Sequence, residues 1–451
     1  MTAAVETKTP LPPPPGPSFW AGVTAYKRDP AAYMHGLFLK HGDVLRWRGF
    51  MTIHMLNNPD HVRQILTQAY PEFTKNAYDY HVLAQTLGKG LVTNDGPDWV
   101  KQRRLMQPMF HNKVVNTFDQ VINAFTAVLA ERWNQLPSDQ PVALDREMSR
   151  VTFQIVAGTL FGSAIDEHAD EMVDILDAIN INTKTLRAFF TLYPWIPTAH
   201  NRRFNTVMRR LDYIVYKIIN ARRVAGVANK DLLDRLLSAR DEQTSLGMEE
   251  RQVRDEVITL MLAGHETSST ALQWTFYLLA RHPEVEAELL AELNSVLNGK
   301  PATAADLSRL PYLKQVVQES MRVYPPVWGI ARRATNEQEF GGYRLPAGAY
   351  ISILPYSLHR HPEHWPEPER FDPTRFSPQR SESRHSYAYI PFAAGPRTCI
   401  GAGMSMLEIQ LVLAQLLPRF RLRPVPGHPV SPMATVTYRP RDGVKAFIEK
   451  R

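Results

Sequence analysis

The stretch Phe392-Ala-Ala-Gly395-Pro-Arg397-Thr-Cys399-Ile-Gly401 decides the fold of this chain. It holds the only cysteine among 451 residues, so no internal disulfide can form. The thiol is then a buried apolar group, a reactive nucleophile or a metal ligand. Gly395 and Pro396 break regular structure before it, and an apolar run with helical spacing follows Gly401. This pattern predicts a loop-to-helix junction at Cys399, where helix-terminal amides and the helix dipole lower the pKa of a thiol.

The composition favours a soluble globular protein. No linker or repeat interrupts the interior, so we predict a single domain over residues 18–451, preceded by an extended proline-rich arm, residues 1–17. One unpaired cysteine fits a reducing compartment, and we expect a cytoplasmic protein without a signal peptide or transmembrane segment. The net charge of +7 comes without a nucleic-acid-binding motif, so nucleic acid is not an expected partner.

Hydrophobic periodicity predicts an α+β domain that is mainly α, with small sheets. The predicted helices are 112–133, 167–181, 203–222, 250–281 and 283–297. The predicted strands are 44–47, 52–56, 350–354 and 435–438, with a turn-rich hairpin at 341–348.

The segment Ala263-Gly264-His265-Glu266-Thr267 lies in the middle of the longest predicted helix. Two small residues followed by an acid and a hydroxyl leave a notch in an apolar helix. Thr267 can donate a hydrogen bond to the carbonyl of Ala263, one turn earlier. A zinc motif of the form H-E-x-x-H is excluded because Ser269 occupies its last position. The alternative is a polar patch that faces solvent.

Two further groups of residues have the spacing of helix neighbours. Glu319 and Arg322 share a helix face, and Arg370, in the segment Pro-Glu-Arg-Phe, is the predicted third member of a structural charge network. Trp99 and Arg103 lie one turn apart, so both can donate to one anionic group. The alternative for this last pair is a core tryptophan beside a surface arginine.

Together these segments resemble the cytochrome P450 family, the haem-thiolate monooxygenases, from about Pro12 to the C-terminus. The family pattern F-x-x-G-x-R-x-C-x-G matches residues 392–401, A-G-x-E-T matches 263–267 and E-x-x-R matches 319–322. The resemblance implies the cytochrome P450 fold, with haem b between the long central helix and the cysteine loop. It also implies a monooxygenase that activates dioxygen and inserts one oxygen atom into a hydrophobic small molecule.

The resemblance implies a role for each residue at a matching position. Cys399 is the implied thiolate ligand of the haem iron, with amides around Gly401 bonded to its sulfur. Glu266 and Thr267 are the implied acid–alcohol pair that delivers protons during dioxygen activation. The remaining implied cofactor-binding residues are Phe392 and Ala263, and, for the haem propionates, Trp99, Arg103, Arg332 and Arg397. The implied structural triad is Glu319, Arg322 and Arg370.

The implied substrate pocket is apolar, which suits a fatty acid, a terpenoid or a carotenoid. Residues 188–197 are expected to form a lid or a membrane contact rather than a core loop. The implied pocket segments are 73–91, 186–197, 262–263, 327–330 and 433–436. The implied lining residues are Leu262, Val327, Trp328, Ile330 and Val436.

The sequence has no flavin or nicotinamide fingerprint, so we expect electrons from a separate ferredoxin or flavodoxin with its NAD(P)H reductase. The excess positive charge favours docking of an acidic partner near Lys101 and Arg104, on the Cys399 face. Two alternatives stay open: a haem-thiolate peroxygenase or isomerase that needs no reductase, and a non-catalytic haem-binding protein.

Overall fold

The structure is a computed structural model that describes residues 11–17, 23–49, 51–162, 169–182, 195–226, 231–239 and 247–451. The chain divides into two compact units. The sheet unit comprises residues 1–77, 328–368 and 384–398, and the helical unit comprises residues 78–327, 369–383 and 399–451. The prediction of a single domain over residues 18–451 stays a prediction.

The described strands are short and fall into four sheets. Two of the sheets belong to each unit. In chain order the strands are β1 (Val44–Arg48), β2 (Thr52–Leu56), β3 (Phe73–Thr74), β4 (Val142–Ala143), β5 (Ile330–Ala334), β6 (Gln338–Phe340), β7 (Tyr343–Leu345), β8 (Tyr350–Ile353), β9 (Phe420–Pro424), β10 (Pro432–Ala434), β11 (Tyr438–Pro440) and β12 (Lys445–Lys450).

The helices include one that is far longer than its neighbours. None of the described helices has the length and the apolar character needed to cross a membrane. In chain order the helices are α1 (Val23–Arg28), α2 (Pro30–His41), α3 (Pro59–Arg63), α4 (Tyr78–Leu87), α5 (Gly96–Met106), α6 (Asn112–Val115), α7 (Asp119–Asn134), α8 (Leu144–Phe161), α9 (Ala169–Asn182), α10 (Ala199–Ala225), α11 (Leu232–Ser238), α12 (Glu250–Arg281), α13 (Pro283–Leu297), α14 (Pro311–Val323), α15 (Pro355–Leu358), α16 (Pro378–Ser381) and α17 (Ala402–Leu416).

The sheet unit is organised around a five-stranded sheet with the order β1-β2-β8-β5-β3. Strand β2 runs parallel to β8, and the other neighbours are antiparallel. Because side chains alternate along a strand, β8 buries Ile351 and Ile353 in the core of the unit and leaves Tyr350 partly accessible. Strands β6 and β7 form the predicted hairpin, whose turn residues Gly341 and Gly342 both have positive φ, at 57° and 77°.

The proline-rich arm is attached to the sheet unit along its described part, residues 11–17. The carbonyl of Pro15 accepts a hydrogen bond from the Arg46 amide of β1 at 2.7 Å. The carbonyl of Pro12 accepts one from the Arg344 amide of β7 at 3.0 Å. The arm therefore follows two strands of the sheet unit rather than projecting from it.

The helical unit is built around α12, which spans 32 residues and is about 48 Å long. It packs most extensively against α8, and Gly264 lies at that contact because a methyl group there would approach the Val156 side chain at 3.0 Å. His265 is fully buried and packs edge-on against Phe153 of α8. Burial lowers its pKa to about 4, so the imidazole is neutral at pH 7.

Most predicted elements are present, and two differ. The predicted helix 112–133 is broken into α6 and α7 by a short 3₁₀ turn, in which the Thr117 hydroxyl donates to the Val114 carbonyl and so competes with the helix ladder. The predicted strand 435–438 is wrong. Residues 435–437 are instead the turn between β10 and β11, closed by the Thr435 amide donating to the Thr437 carbonyl at 2.9 Å.

Candidate functional site

The segment that carries Cys399 lies between a 3₁₀ turn, Gly395–Arg397, and the first residue of α17. Gly395 has a φ of +70°, and a methyl group there would lie 1.9 Å from the Leu66 carbonyl oxygen. Only glycine satisfies both conditions. The predicted loop-to-helix junction at Cys399 is therefore present.

The Cys399 thiol accepts a hydrogen bond from the Gly401 amide, as the sequence predicts. Its pKa is nevertheless raised rather than lowered, so that expectation was wrong. Burial disfavours the thiolate and outweighs the Gly401 amide and the Arg103 guanidinium, which both act in the opposite direction. A coordinated metal cation would supply the charge that this environment lacks, because a coordinating thiol is deprotonated outright.

The surroundings of Cys399 fit a flat prosthetic group that offers a metal to sulfur. The side chain has exposed surface, yet burial is the main influence on its pKa, so it opens into an internal space rather than into bulk solvent. Gly401 has a φ of −90°, and a methyl group there would meet only the Phe110 ring, at 3.9 Å. Neither backbone conformation nor packing requires glycine at that position, whereas a large planar group lying against the backbone does.

The middle of α12 presents partly accessible residues between two buried stretches, 253–261 and 268–276. Ala263 and Thr267 are partly accessible on this helix. The Thr267 hydroxyl donates to the Ala263 carbonyl at 2.7 Å, which is the hydrogen bond predicted from the sequence. The helix continues without a break, and α12 contacts α17 through the Ser268 and Ser405 hydroxyls, 3.2 Å apart.

Glu266 is buried next to Thr267 and is held from the C-terminal part of the chain. The Thr437 hydroxyl donates to its Oε1 atom at 2.7 Å, and the Arg439 guanidinium lies 3.8 Å from the same oxygen. This setting excludes the alternative of a polar patch facing solvent. Thr437 and Arg439 both help to anchor the carboxylate.

A narrow apolar pocket adjoins Glu266. Its free volume is about 10 Å³, which is close to the minimum that one water molecule needs. Helices α4, α9 and α12 contribute most of its walls. The lining residues are Leu83, Thr86, Leu87, Leu176, Ile179, Leu262, Glu266 and Val436.

Leu262 and Val436 therefore line a common pocket of the helical unit, and the other three predicted lining residues stay predictions. Val327 is 38% exposed, Trp328 packs against a core cluster of the sheet unit, and Ile330 is buried in the sheet core. Of the predicted lid, only residues 195–197 belong to the described part of the chain. Trp195 there is 73% exposed.

Trp99 and Arg103 both line one cleft of the helical unit, of about 410 Å³. Trp99 is buried, Arg103 is partly buried, and its Nε donates to the Gln107 side chain at 2.7 Å. Burial lowers the pKa of Arg103, and the neighbouring Cys399 opposes that effect. Lys101 and Arg104 on the same helix are exposed. The cleft thus combines an indole N–H with guanidinium groups, the donors that suit an anion.

Three predicted cofactor-binding residues belong to the sheet unit. Arg332 is buried on β5, whereas its neighbour Arg333 is exposed and donates to the Gly348 carbonyl, so the burial agrees with choosing Arg332. Phe392 and Arg397 are partly accessible within the cysteine segment. The Thr398 hydroxyl donates to the Phe392 carbonyl at 3.2 Å and fixes the loop between them.

The structural triad has a different third member from the one predicted. Arg322 donates to both carboxylate oxygens of Glu319, at 2.7 and 2.9 Å, and both side chains are fully buried. The Asp372 amide donates to Glu319 at 2.9 Å. The guanidinium next closest to Glu319 is that of buried Arg375, at 3.4 Å. Arg370 is exposed and contributes its backbone carbonyl, which accepts from Arg322 at 3.1 Å.

Some functional residues were not predicted from the sequence, and only part of these lie in a recognisable local pattern. Arg375 stands in a second Pro-x-Arg-Phe segment five residues after the first, so the repeat was a readable signal. Leu176 and Ile179 of α9 lie just before the predicted lid. Thr437 and Arg439 carry no local pattern, because their role depends on a contact across more than 170 residues of sequence.

Comparison with known proteins agrees with this geometry. The family Cytochrome P450 matches residues 10–443. Cyclooctatin synthase of Streptomyces melanosporofaciens is 34% identical, covering 87% of this chain and 85% of its own length. Cyclooctat-9-en-7-ol 5-monooxygenase of the same species is 35% identical, covering 86% and 84%. Pentalenene oxygenase of Streptomyces avermitilis is 33% identical, covering 92% of each chain.

Solved structures confirm the predicted fold. The retinoic acid bound form of cyanobacterial CYP120A1 superposes with a TM-score of 0.87 at 24% identity, covering 98% of this chain and 100% of the other. The heme domain of cytochrome P450DA gives 0.84 at 24% identity, covering 98% of each. With the family match over nearly the whole chain, the protein belongs to the cytochrome P450 family and is a haem-iron monooxygenase that uses dioxygen, a hydrophobic substrate and a redox partner.

Proposed function

We propose that the prosthetic group is haem b and that Cys399 is its proximal ligand. Bound haem iron with a thiolate ligand activates dioxygen and supplies one oxygen atom to the substrate. Gly401 contributes an amide to the sulfur and leaves room beside the backbone, while Phe392 packs beside the ligand loop. Ala263 offers a small surface on α12. The proposed propionate-binding residues are Trp99, Arg103, Arg332 and Arg397.

The proposed substrate is an apolar molecule of the terpenoid class. The walls of the narrow pocket beside Glu266 are mainly leucine, isoleucine and valine side chains, and their apolar character, rather than the water-sized space between them, favours a hydrocarbon skeleton. Two similar proteins are named for the oxidation of pentalenene, an alkene, and of cyclooctat-9-en-7-ol, an unsaturated alcohol. Among the three classes considered from the sequence, these names favour the terpenoid over the fatty acid and the carotenoid.

Glu266 and Thr267 form the proposed route for protons. The Thr267 hydroxyl donates its own hydrogen to the Ala263 carbonyl, so its oxygen can accept a hydrogen bond from a water molecule. Thr267 thereby orients a water, and the nearby Glu266 carboxyl exchanges protons with it. The space beside Glu266 is large enough for one such water.

The proposed electron donor is a ferredoxin or a flavodoxin with its NAD(P)H reductase, acting in the cytoplasm. Lys101 and Arg104 are exposed on α5, the helix that also carries Arg103 beside Cys399. These cations complement an acidic donor protein and bring it close to the thiol side of the site.

The hydroxyl of Thr267, bonded to the Ala263 carbonyl beside buried Glu266, is the observation that carries the proposal. We expect Thr267→Ala to bind haem but to lose about tenfold in the fraction of reductant recovered as product, with peroxide formed instead. The assay uses a surrogate ferredoxin system with cyclic alkene substrates. Thr275→Ala is the matched control, because Thr275 makes the same type of bond to Ala271, at 2.7 Å, away from the pocket.

Equal recovery of product in Thr267→Ala and the parent would refute the proton route. Turnover supported by peroxide alone, without any gain from reductant, would instead favour the peroxygenase alternative. Loss of the red-shifted Soret band of the reduced carbon monoxide complex in Cys399→Ser tests the thiolate ligand separately.

A further inference from the structure

A tight turn in the sheet unit brings together histidine and glutamate side chains outside the haem site. Its sequence is His361-Pro-Glu363-His364. The carbonyl of His361 accepts hydrogen bonds from the amides of His364 and Trp365, at 3.0 and 2.9 Å. Pro362 fixes its own φ, and fully buried Trp365 anchors the end of the turn. The backbone that presents these side chains is therefore rigid.

The three side chains offer ligand atoms that already lie close together. One atom each from His361, Glu363 and His364 falls within 4.8 Å of the others, and the two imidazole rings are 5.0 Å apart between centroids. Ligands at about 2.0–2.2 Å from zinc in a tetrahedral site lie roughly 3.3–3.6 Å from each other. Closing the remaining ångström or so requires only side-chain rotation, which exposed Glu363 and half-exposed His364 allow.

His361 is oriented in the manner of a metal-binding histidine. It is buried, and its Nε2 atom lies 3.1 Å from the Asp43 carboxylate. Histidine ligands of metals regularly donate the second ring N–H to a carboxylate, which fixes the tautomer and raises the basicity of the other nitrogen. With Nε2 protonated toward Asp43, Nδ1 is the ligand atom. The contact from the Glu363 amide to Nδ1 is long, at 3.3 Å, and is the contact that an ion replaces.

We propose that His361, Glu363 and His364 form a zinc site, with Asp43 orienting His361 and water completing the tetrahedron. Two imidazole nitrogens and one carboxylate are a donor set that zinc favours. His385 lies nearby, with its ring 6.2 Å from that of His364. Its Nε2 is 3.4 Å from Asp60 and its Nδ1 accepts from the Tyr387 amide at 3.1 Å, and it is not one of the three residues whose ligand atoms lie within 4.8 Å of one another.

The test is zinc binding to the full-length, haem-loaded protein after chelator treatment, measured by equilibrium dialysis with elemental analysis and by titration calorimetry. We expect one zinc per chain at this site. Glu363→Gln with His364→Gln removes that one equivalent, and Asp43→Asn keeps it but weakens the affinity about 10- to 100-fold. His81→Gln, an exposed histidine of the helical unit, controls for adventitious binding and leaves the equivalent in place.

Either of two results overturns the proposal. One is a zinc stoichiometry in the double variant that equals that of the parent protein. The other is zinc binding by the parent that is lost equally in His81→Gln. If the double variant fails to fold, His364→Gln alone gives the same comparison at a half-exposed position. Copper(II) bound in place of zinc provides a second readout, because its electron paramagnetic resonance spectrum reports two nitrogen ligands in the parent and one in His364→Gln.

Discussion

Glu319 and Glu266 are both buried glutamates near an arginine, yet the Glu319 carboxylate is fully enclosed, whereas the Glu266 carboxylate lines a pocket. Glu319 accepts two hydrogen bonds from Arg322 and one from the Asp372 amide, with Arg375 at 3.4 Å. Glu266 accepts a hydrogen bond from the Thr437 hydroxyl and lies 3.8 Å from the Arg439 guanidinium. The fully buried Glu319 carboxylate is fixed in place by its short partners, whereas the Glu266 carboxylate borders a water-sized space. The first arrangement is structural and the second suits proton transfer.

The largest effect is expected at Glu319, whose carboxylate accepts several hydrogen bonds. Arg322→Met removes both hydrogen bonds and leaves the buried Glu319 charge poorly compensated, which costs about 3–5 kcal/mol. We expect little folded, haem-loaded protein, measured as haem absorbance per polypeptide after purification. Arg333→Met, at an exposed position of β5, is the control and gives normal yields. A normal haem content in Arg322→Met would show that the hydrogen bonds between Arg322 and Glu319 are not needed for folding.

Glu408 extends the comparison to a third buried carboxyl group, which forms a hydrogen bond with the Ser268 hydroxyl. Burial raises its pKa to about 8, so the group stays protonated in the folded protein while it ionises in the unfolded chain. Between about pH 4.5 and 8 the unfolded state binds fewer protons, and stability falls as pH rises, by at most about 1.4 kcal/mol per pH unit.

In Glu408→Gln we expect this part of the pH dependence to disappear, measured as urea midpoints between pH 5 and 8. Burial also raises the pKa of Glu256 to about 8, so its own contribution to the pH dependence of stability remains in this variant. Glu339→Gln on the exposed side of β6 is the control. An unchanged slope in Glu408→Gln would mean that its carboxyl group titrates normally.

Arg375 and Arg370 sharpen the structural side of the comparison. Arg375→Met removes a buried guanidinium beside Glu319, and we expect a loss of about 2–3 kcal/mol, read from the urea midpoint at pH 7. Arg370→Met keeps the backbone carbonyl that Arg322 uses, so we expect a change within about 0.5 kcal/mol. The reverse order of the two midpoints would restore Arg370 as the third member of the triad.

The smallest effect is expected at Glu266. Thr437→Val removes the hydrogen bond that positions Glu266. Such a bond is worth about 1 kcal/mol, so its loss corresponds to about a fivefold change in the rate of proton delivery. We expect that change in product formed per electron, with little change in stability. Thr437→Ser retains the hydroxyl and should behave like the parent. Identical coupling in Thr437→Val would show that the anchoring of Glu266 is irrelevant to turnover.

Local patterns were enough for the elements whose partners are near in sequence. The bounds of α12 and α13, the β6–β7 turn and the Thr267 bond to Ala263 all follow from contacts within a few residues. The family match confirms the fold that these motifs imply. Burial is where local reasoning failed: the Gly401 amide lowers the pKa of Cys399, but desolvation outweighs this effect and raises the pKa.

Long-range contacts account for most of the remaining misses. Nothing near Thr437 or Arg439 indicates that these residues reach Glu266, because sequence separation hides a contact that folding creates. The burial of Ile330 in the sheet core is equally hidden, because it depends on the pairing of β5 with β8. The direction of a side chain depends on which strand its own strand pairs with, and that is a tertiary property.

The carbonyl of Pro15 that accepts from Arg46 also determines how the five-stranded sheet ends. Strand β1 lies at the border of that sheet, where unpaired amides normally invite another strand to add on. Proline has no N–H to offer, so the run of prolines at 12–15 takes a hydrogen bond from the border strand without presenting a new set of donors. The segment thereby prevents another strand from pairing with this edge of the sheet. A chain lacking it would expose the edge strand, through which copies can self-associate.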